Sequence, residues 1–312
     1  HGTNPASAAM AGFSVRTVPS APDGEVDFDA FVAALDDSVA GIMLTCPNTH
    51  GLFERRIRDI ADLVHERDAL LYYDGANLNA ILGKVRPGDL GFDVMHFNLH
   101  KTFSTPHGMG GPGSGAVAVG ARLEPFLPGP RVIQDEQGRF DLVTPEKSIG
   151  AIAPFFGSFL VALRAWTYIR AHGAEGLPRV AEAAVLNANY VLARLREYYH
   201  APFGDRCMHE CVLDATRQVA AGGVKALDIA KALLDRGFHA PTIYFPLTVP
   251  ECLMIEPTET ECKETLDAFC DAMIEIARLA ETNPEAVKQA PVTMPVSRLD
   301  EVKAARELNC SC

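Results

Sequence analysis

The chain has 312 residues, 48% of them hydrophobic and 22% charged, which fits a globular protein of one large or two ordinary domains. A net charge of −12 argues against nucleic acid as a partner and against anionic membrane surfaces, because both are bound by an excess of Lys and Arg. No uninterrupted apolar stretch reaches the roughly 18 residues of a membrane span, and no signal peptide is read.

In chain order, the first part alternates strand and helix. Residues 13–18 read as a strand, 28–35 as a helix, 40–44 as a strand, 52–66 as a helix and 69–73 as a strand. The second helix carries apolar residues at Ile57, Ile60, Ala61 and Val64. Such alternation predicts a parallel sheet covered by helices. Residues 94–99 and 116–119 supply two more strands, both apolar enough for the middle of a sheet. From about residue 123 to 148 the texture changes, with Pro125, Pro128, Pro130 and Pro145 breaking up short apolar runs, and this stretch reads as a crossing between domains. Residues 155–171 and 177–199 then read as long helices separated by a turn at Gly173 to Gly176. Strands follow at 207–213, 242–245 and 252–255, with helices at 226–236 and 259–281. The predicted domains are 1–122, a crossing at 123–150, and a small α/β domain at 151–312.

Eight cysteines raise the question of disulfides or a metal. No pair of C-x-x-C knuckles is present, so a zinc site is disfavoured and no metal is expected. Cys207, His209 and Cys211 alternate in the expected strand, which reads as one packed face. Reduced thiols in a cytosol-like compartment are the default for a chain of this size.

The chemistry is carried by Asp93 to Gly115, DVMHFNLHKTFSTPHGMGGPGSG, where one lysine, Lys101, follows an apolar run and precedes a turn crowded with glycine and proline. A strand end holds an amine steadily, and glycines let a planar ligand approach the backbone. His100 and Thr102 flank the lysine with a ring nitrogen and a hydroxyl suited to a phosphate ester. The companion is Asp74, at the end of the apolar stretch 69–73, where open α/β sheets bind ligands. A carboxylate there can pair with the ring nitrogen of pyridoxal 5′-phosphate (PLP), whose aldehyde a lysine holds as a Schiff base. Ala76, in the turn after Asp74, is counted with the cofactor contacts. His107 and Asn77 are candidate substrate contacts, with turn shaping the alternative for Asn77. Thr3 and Asn4 suit either a helix cap or a cofactor contact. His1 has a ring that can stack on the cofactor, or that is disordered as a terminal residue.

Further blocks carry a family resemblance: HGTNPASAAMAG from His1, PNT from Pro47, YYDGANLNAI from Tyr72, RPGDLGFDV from Arg86, NLHKTFSTPHG from Asn98, NANY from Asn187 and PTIYFPLTVPECLMIEPTETE from Pro241. With these the chain resembles the glycine decarboxylase (P-protein) family of the glycine cleavage system, in its lysine-bearing subunit 2 or the equivalent half of the fused form. The resemblance runs almost from end to end. It implies the PLP-dependent transferase fold of aspartate-aminotransferase type, here part of the large parallel-sheet domain plus a small α/β domain. It also implies PLP-dependent decarboxylation of glycine, with the aminomethyl group passed to the lipoyl arm of H-protein. The implied partners are glycine, lipoylated H-protein and sister P-protein subunit 1, or a second copy if fused. The implied compartment is the bacterial or archaeal cytoplasm, or the mitochondrial matrix in a eukaryote. Another PLP enzyme of this fold, such as an aminotransferase or cysteine desulfurase, and a non-catalytic remnant of the subunit are the alternatives.

Two features depart from the family pattern. The family has a stretch upstream of HGTNP, so a truncated amino terminus is expected. Cys46 stands where the family commonly has Asn, with His50 and Met109 as further departures. An Asn at that strand end can donate a hydrogen bond to the cofactor, and a thiol donates only weakly.

Overall fold

A strand flanked on both sides by parallel neighbours must have its faces covered, and the helices of the first half do this. In the computed structural model, residues 2–107, 113–154 and 156–307 are described. The readings that fall on His1, on residues 108–112 including Met109, on residue 155 and on Cys310 and Cys312 lie outside the described residues. Contacts divide the chain into two compact units, 1–182 and 183–312.

The first unit opens with α1 (Thr3–Met10), none of whose residues is buried, and α2 (Phe28–Ala34). Asp27 starts α2 by accepting the Ala30 amide at 3.0 Å, a side-chain N-cap. Then come β1 (Gly41–Thr45), α3 (Ile57–Glu66), β2 (Leu70–Gly75), β3 (Val94–Asn98) and β4 (Gly115–Val119). The sheet order is β1-β2-β3-β4, with β1, β2 and β3 mutually parallel. The expected apolar stripe of α3 is buried at Ile57, Ile60, Ala61 and Val64, the i, i+3, i+4, i+7 spacing of one helix face, and α3 packs on β2. Leu71 and Tyr73 of β2 are fully buried, and Tyr73 meets Phe92 edge-on at 4.9 Å. Each such side chain contributes about 1.5–3 kcal/mol by leaving water. By the period of two along a strand, Tyr72 and Asp74 point to the other face.

Several expectations are corrected. Residues 13–18 form no strand, because a strand needs a hydrogen-bonding neighbour and this segment is exposed with its Arg16 bound to the Ala34 carbonyl and Asp36. The helix read from residue 52 starts at Ile57, after Glu54 has used its carboxylate on the amides of Val26 and Arg56. The strand β4 is antiparallel to β3, so the sheet is mixed rather than purely parallel. Residues 123–150 carry a hairpin, β5 (Arg131–Gln134) with β6 (Phe140–Val143). The long helix α4 (Phe159–Leu195) breaks at Gly173, which adopts φ 64° and ψ −173° as the expected turn there required.

The second unit holds β7 (Cys211–Asp214), α5 (Thr216–Gly222), α6 (Ala226–Leu234), β8 (Thr242–Ile243), β9 (Cys252–Ile255) and α7 (Lys263–Thr282), then the short α8 (Pro284–Lys288) and α9 (Glu301–Arg306). Its antiparallel sheet has the order β7-β9-β8. The strand read from Cys207 begins only at Cys211, because the Asn189 side chain takes the Cys207 backbone first, accepting its N–H at 3.1 Å and donating to its carbonyl at 2.6 Å. Cys207, His209 and Cys211 therefore do not share one strand face. The last long helix starts at Lys263, not 259. Leu213, Ile229, Leu233, Leu253, Met273 and Ile276 form the centre of the core. Leu253 lies in the middle strand and is 0% exposed. Leu253→Ala is expected to destabilise the second unit by about 2–5 kcal/mol, the usual cost of a large-to-small change at a site that cannot collapse. Urea unfolding followed by circular dichroism measures it, and a loss under about 1 kcal/mol would contradict this placement of the core.

Candidate active site

The site is built on one rung of the first sheet. The register pairs Thr45 of β1 with Asp74 of β2, and Asp74 with His96 of β3, so the three side chains stand side by side on the face that Tyr72 shares. Asp74 is 2% exposed. Its Oδ2 accepts the Thr45 hydroxyl at 3.2 Å, its Oδ1 accepts the Ala76 amide at 2.9 Å, and the His96 Nε2 lies 3.3 Å from Oδ1. Three donors around a buried carboxylate offset its loss of water. At Gly75 a Cβ would come within 2.2 Å of the His96 carbonyl, so only glycine lets β2 and β3 approach this closely beside the carboxylate.

Lys101 lies in the turn that follows β3, three residues beyond its end at Asn98, and is exposed. The turn is anchored from both sides. The buried Phe103 packs against Phe97 at 5.7 Å and Tyr168 at 6.2 Å, and Arg164 donates to the Ser104 carbonyl at 2.9 Å. Ser104 sits at φ 54°, a left-handed conformation that a serine adopts only when its surroundings impose it. The turn thus gives the lysine a rigid base.

The residues predicted from sequence fall into two neighbouring groups. Asp74, Ala76 and Asn77 occupy the end of β2 and its turn. His100, Lys101, Thr102 and His107 occupy the turn after the adjacent β3. His100 has its Nδ1 3.2 Å from the Ser114 amide, which donates to it, and its ring meets His107 edge-on at 4.8 Å. Burial lowers the His100 pKa and favours its neutral ring. Asn77 donates to the Pro47 carbonyl at 3.0 Å, tying the turn after β2 to the segment after β1, as its turn-shaping alternative required. Thr3 is the first residue of α1, with Gly2 as the N-cap, and is exposed.

Sequence reasoning missed Thr45, His96 and Thr105. The first two had a signal only in the pairing of three distant strands. The Oγ1 atoms of Thr102 and Thr105 are buried and have no hydrogen-bond partner among the described residues. Two orphaned hydroxyls in the lysine turn are unusual. Unpaired donors of this kind suit a phosphate ester, so the residues present fit PLP: Lys101 would hold its aldehyde, Asp74 would face its ring nitrogen, and Thr102 and Thr105 would meet its phosphate.

Cys46 directly follows the end of β1. It is 1% exposed, its backbone carbonyl accepts the Tyr73 hydroxyl at 2.6 Å, and burial pushes its thiol up to about 12. His50 is likewise buried, with Nδ1 2.7 Å from the Gly24 carbonyl. Iodoacetamide at pH 8 is expected to leave Cys46 unmodified in the native chain while the exposed Cys262 is alkylated, since only thiolate reacts. Peptide mapping reads this, and labelling of Cys46 as fast as Cys262 would sink it.

In the second unit, Glu210 and Glu256 flank the β7–β9 ladder one step beyond the Cys211–Ile255 pair, with His209 beside them and ligand-type atoms within 4.8 Å of one another. Among the described residues no helix is long and apolar enough to cross a membrane.

A mixed sheet with a buried aspartate on one strand and a lysine turn on the next accords with the PLP-dependent aminotransferase class-V fold, which the matches to known proteins show. The family model described as Aminotransferase class-V matches residues 2–139, and that described as Glycine dehydrogenase, C-terminal domain, matches residues 180–294. The chain belongs to the family of glycine dehydrogenase (decarboxylating) subunit 2. It is 57% identical over 312 residues to a probable glycine dehydrogenase (decarboxylating) subunit 2 of Chlorobium chlorochromatii, covering 100% of this chain and 65% of the relative. It is 60% identical over 310 residues to the protein of the same description from Methylococcus capsulatus, covering 98% and 64%. The chain thus spans slightly under two thirds of the length of these relatives. Among solved structures, glycine decarboxylase (P-protein) of the glycine cleavage system in inhibitor-bound form matches with a TM-score of 0.72 at 24% identity, over 86% of this chain and 61% of that one. An apo cysteine desulfurase from Thermococcus onnurineus matches with a TM-score of 0.63 at 15% identity, over 87% and 68%. These two likenesses speak for the fold.

Proposed function

We propose that this chain supplies the lysine-bearing catalytic part of a PLP-dependent glycine decarboxylase that transfers the aminomethyl group to a lipoyl arm. The observation that carries the reading is the buried Asp74 between Thr45 and His96, on the strand beside the one that delivers Lys101. When bound, PLP supplies an electron sink for the bond broken at the α-carbon of the amino acid. The chain's own residues do the rest. Asp74 keeps a negative charge at the ring nitrogen, and Lys101 holds the cofactor and is the amine placed to move a proton. The orphaned hydroxyls of Thr102 and Thr105 take the phosphate. His100, held neutral, and His107 line the same turn, with His107 and Asn77 the candidates nearest substrate. His1, Thr3 and Ala76 complete the proposed cofactor contacts.

Glycine as substrate, lipoylated H-protein as acceptor and sister subunit 1 as partner come from the names of the relatives and from the family resemblance. The bacterial cytoplasm is the compartment that goes with them. The test is release of labelled carbon dioxide from carboxyl-labelled glycine by the intact natural polypeptide with its sister subunit. Release should depend on PLP and on a lipoylated carrier. Turnover of cysteine to sulfide, or of an α-amino acid to its oxo acid, with no release from glycine, would replace this reading by another PLP activity.

A further inference from the structure

We infer that Tyr72 and His96 form a positioning couple that holds the Asp74 carboxylate and leaves its Oδ2 as the oxygen that meets the cofactor ring nitrogen. The inference rests on the assignment of Asp74 to that nitrogen and goes beyond it by naming the residues that set the carboxylate and the oxygen that is used.

Three observations support it. The Tyr72 hydroxyl lies 2.7 Å from the His96 Nδ1, and the two rings are tilted against each other at 5.6 Å. The other ring nitrogen, Nε2, lies 3.3 Å from the Asp74 Oδ1. The strand register makes the triad unavoidable: Asp74 and His96 are direct partners on β2 and β3, and Tyr72 is two residues back from Asp74 on the same face.

The direction of the hydrogen bonds follows. A lone pair on Nε2 would repel a carboxylate oxygen, so the proton sits on Nε2. A neutral ring then has an acceptor at Nδ1, which takes the Tyr72 hydroxyl. Tyr72 thereby selects the tautomer that donates to Asp74, and it acts only through His96.

Counting acceptor sites on the carboxylate makes the second half of the inference. Each oxygen has room for about two donors. Oδ1 already faces the Ala76 amide at 2.9 Å and His96 at 3.3 Å, whereas among the described residues Oδ2 takes only the Thr45 hydroxyl at 3.2 Å. The open site is on Oδ2. A carboxylate held at three points cannot turn away from the ring nitrogen, and this is the preorganisation a charge-stabilising group needs.

The test uses the intact natural polypeptide loaded with PLP labelled with nitrogen-15 in the ring, in wild type and in His96→Leu, His96→Gln, Tyr72→Phe, the double variant His96→Leu with Tyr72→Phe, and Asp74→Asn. PLP dissociation constants are measured by equilibrium dialysis, ring-nitrogen resonances by NMR, and folding by circular dichroism. His96→Leu should weaken PLP binding about tenfold or more, the worth of a hydrogen bond to a charged group, and displace the ring-nitrogen resonance. His96→Gln, which keeps a donor, should restore much of both. Tyr72→Phe should weaken binding only about two- to fivefold, and should add nothing in the His96→Leu background. Wild-type affinity and resonance in a folded His96→Leu, or a full Tyr72→Phe effect in the double variant, would overturn the couple. If His96→Leu fails to fold, the milder Tyr72→Phe carries the comparison, and wild-type affinity with an unmoved resonance in a folded Tyr72→Phe overturns the couple. Asp74→Asn separates the two levels: if it leaves the resonance unmoved, the assignment of Asp74 itself fails, whereas a shift there with silent His96 variants defeats only the couple.

Discussion

Lys101→Ala is expected to abolish the borohydride-stable adduct between chain and cofactor, and to lower glycine decarboxylation by at least about 10⁴-fold, the order found when one member of a concerted catalytic group is removed. The lysine is exposed, and its turn is anchored by Phe103 and Arg164 rather than by Lys101 itself, so the fold should survive the truncation. PLP should still bind reversibly, through Asp74 and the two buried threonine hydroxyls, with reduced affinity. Reduction with borohydride followed by peptide mapping reads the outcome in wild type and variant. An adduct that persists in Lys101→Ala, or that maps to another lysine in wild type, would refute the assignment.

Asp74→Asn should keep the fold and the cofactor but cost about 10²–10⁴-fold in turnover. The substitution is nearly isosteric, and the amide oxygen can still accept the Ala76 N–H that the carboxylate accepts at 2.9 Å. What it removes is the negative charge facing the ring nitrogen. Breaking one buried charge pair costs about 3–5 kcal/mol, and each 1.36 kcal/mol on the barrier is a factor of ten. Its amide nitrogen would then take the Oδ2 place, where the Thr45 hydroxyl donates, so local stability should fall by about 1–3 kcal/mol. Steady-state rates and thermal melting of the two proteins side by side measure both effects. Turnover within threefold of wild type would remove the charge argument.

The candidate chemistry-bearing residues could be read because their signals are local. Lys101 stands at a change from apolar run to glycine-rich turn, and Asp74 at the end of a short apolar strand, so each could be read within a window of about ten residues. The same holds for α3, whose apolar stripe repeats with the helical period, and for the break at Gly173, where the chain adopts a positive φ that glycine tolerates without strain. Periodicity and turn chemistry are properties of neighbouring residues, and a sequence displays them directly.

The rest was decided by which segments pair. Thr45, Asp74 and His96 lie 29 and 22 residues apart, and only the parallel register of β1, β2 and β3 puts them on one rung. A one-residue slip would turn every side chain to the opposite face, and nothing within any one of these strands states its register. The same reason hid the antiparallel entry of β4, the hairpin of β5 and β6, and the loss of strand at Cys207, where the side chain of Asn189, 18 residues away, takes the backbone. It also decided the surroundings of Cys46, whose thiol is buried and held neutral. Local pattern in the sequence therefore carried the candidate reactive groups and much of the helix and strand alternation. Only the tertiary structure decided what stands beside each group, because that depends on contacts between segments that carry no local record of one another.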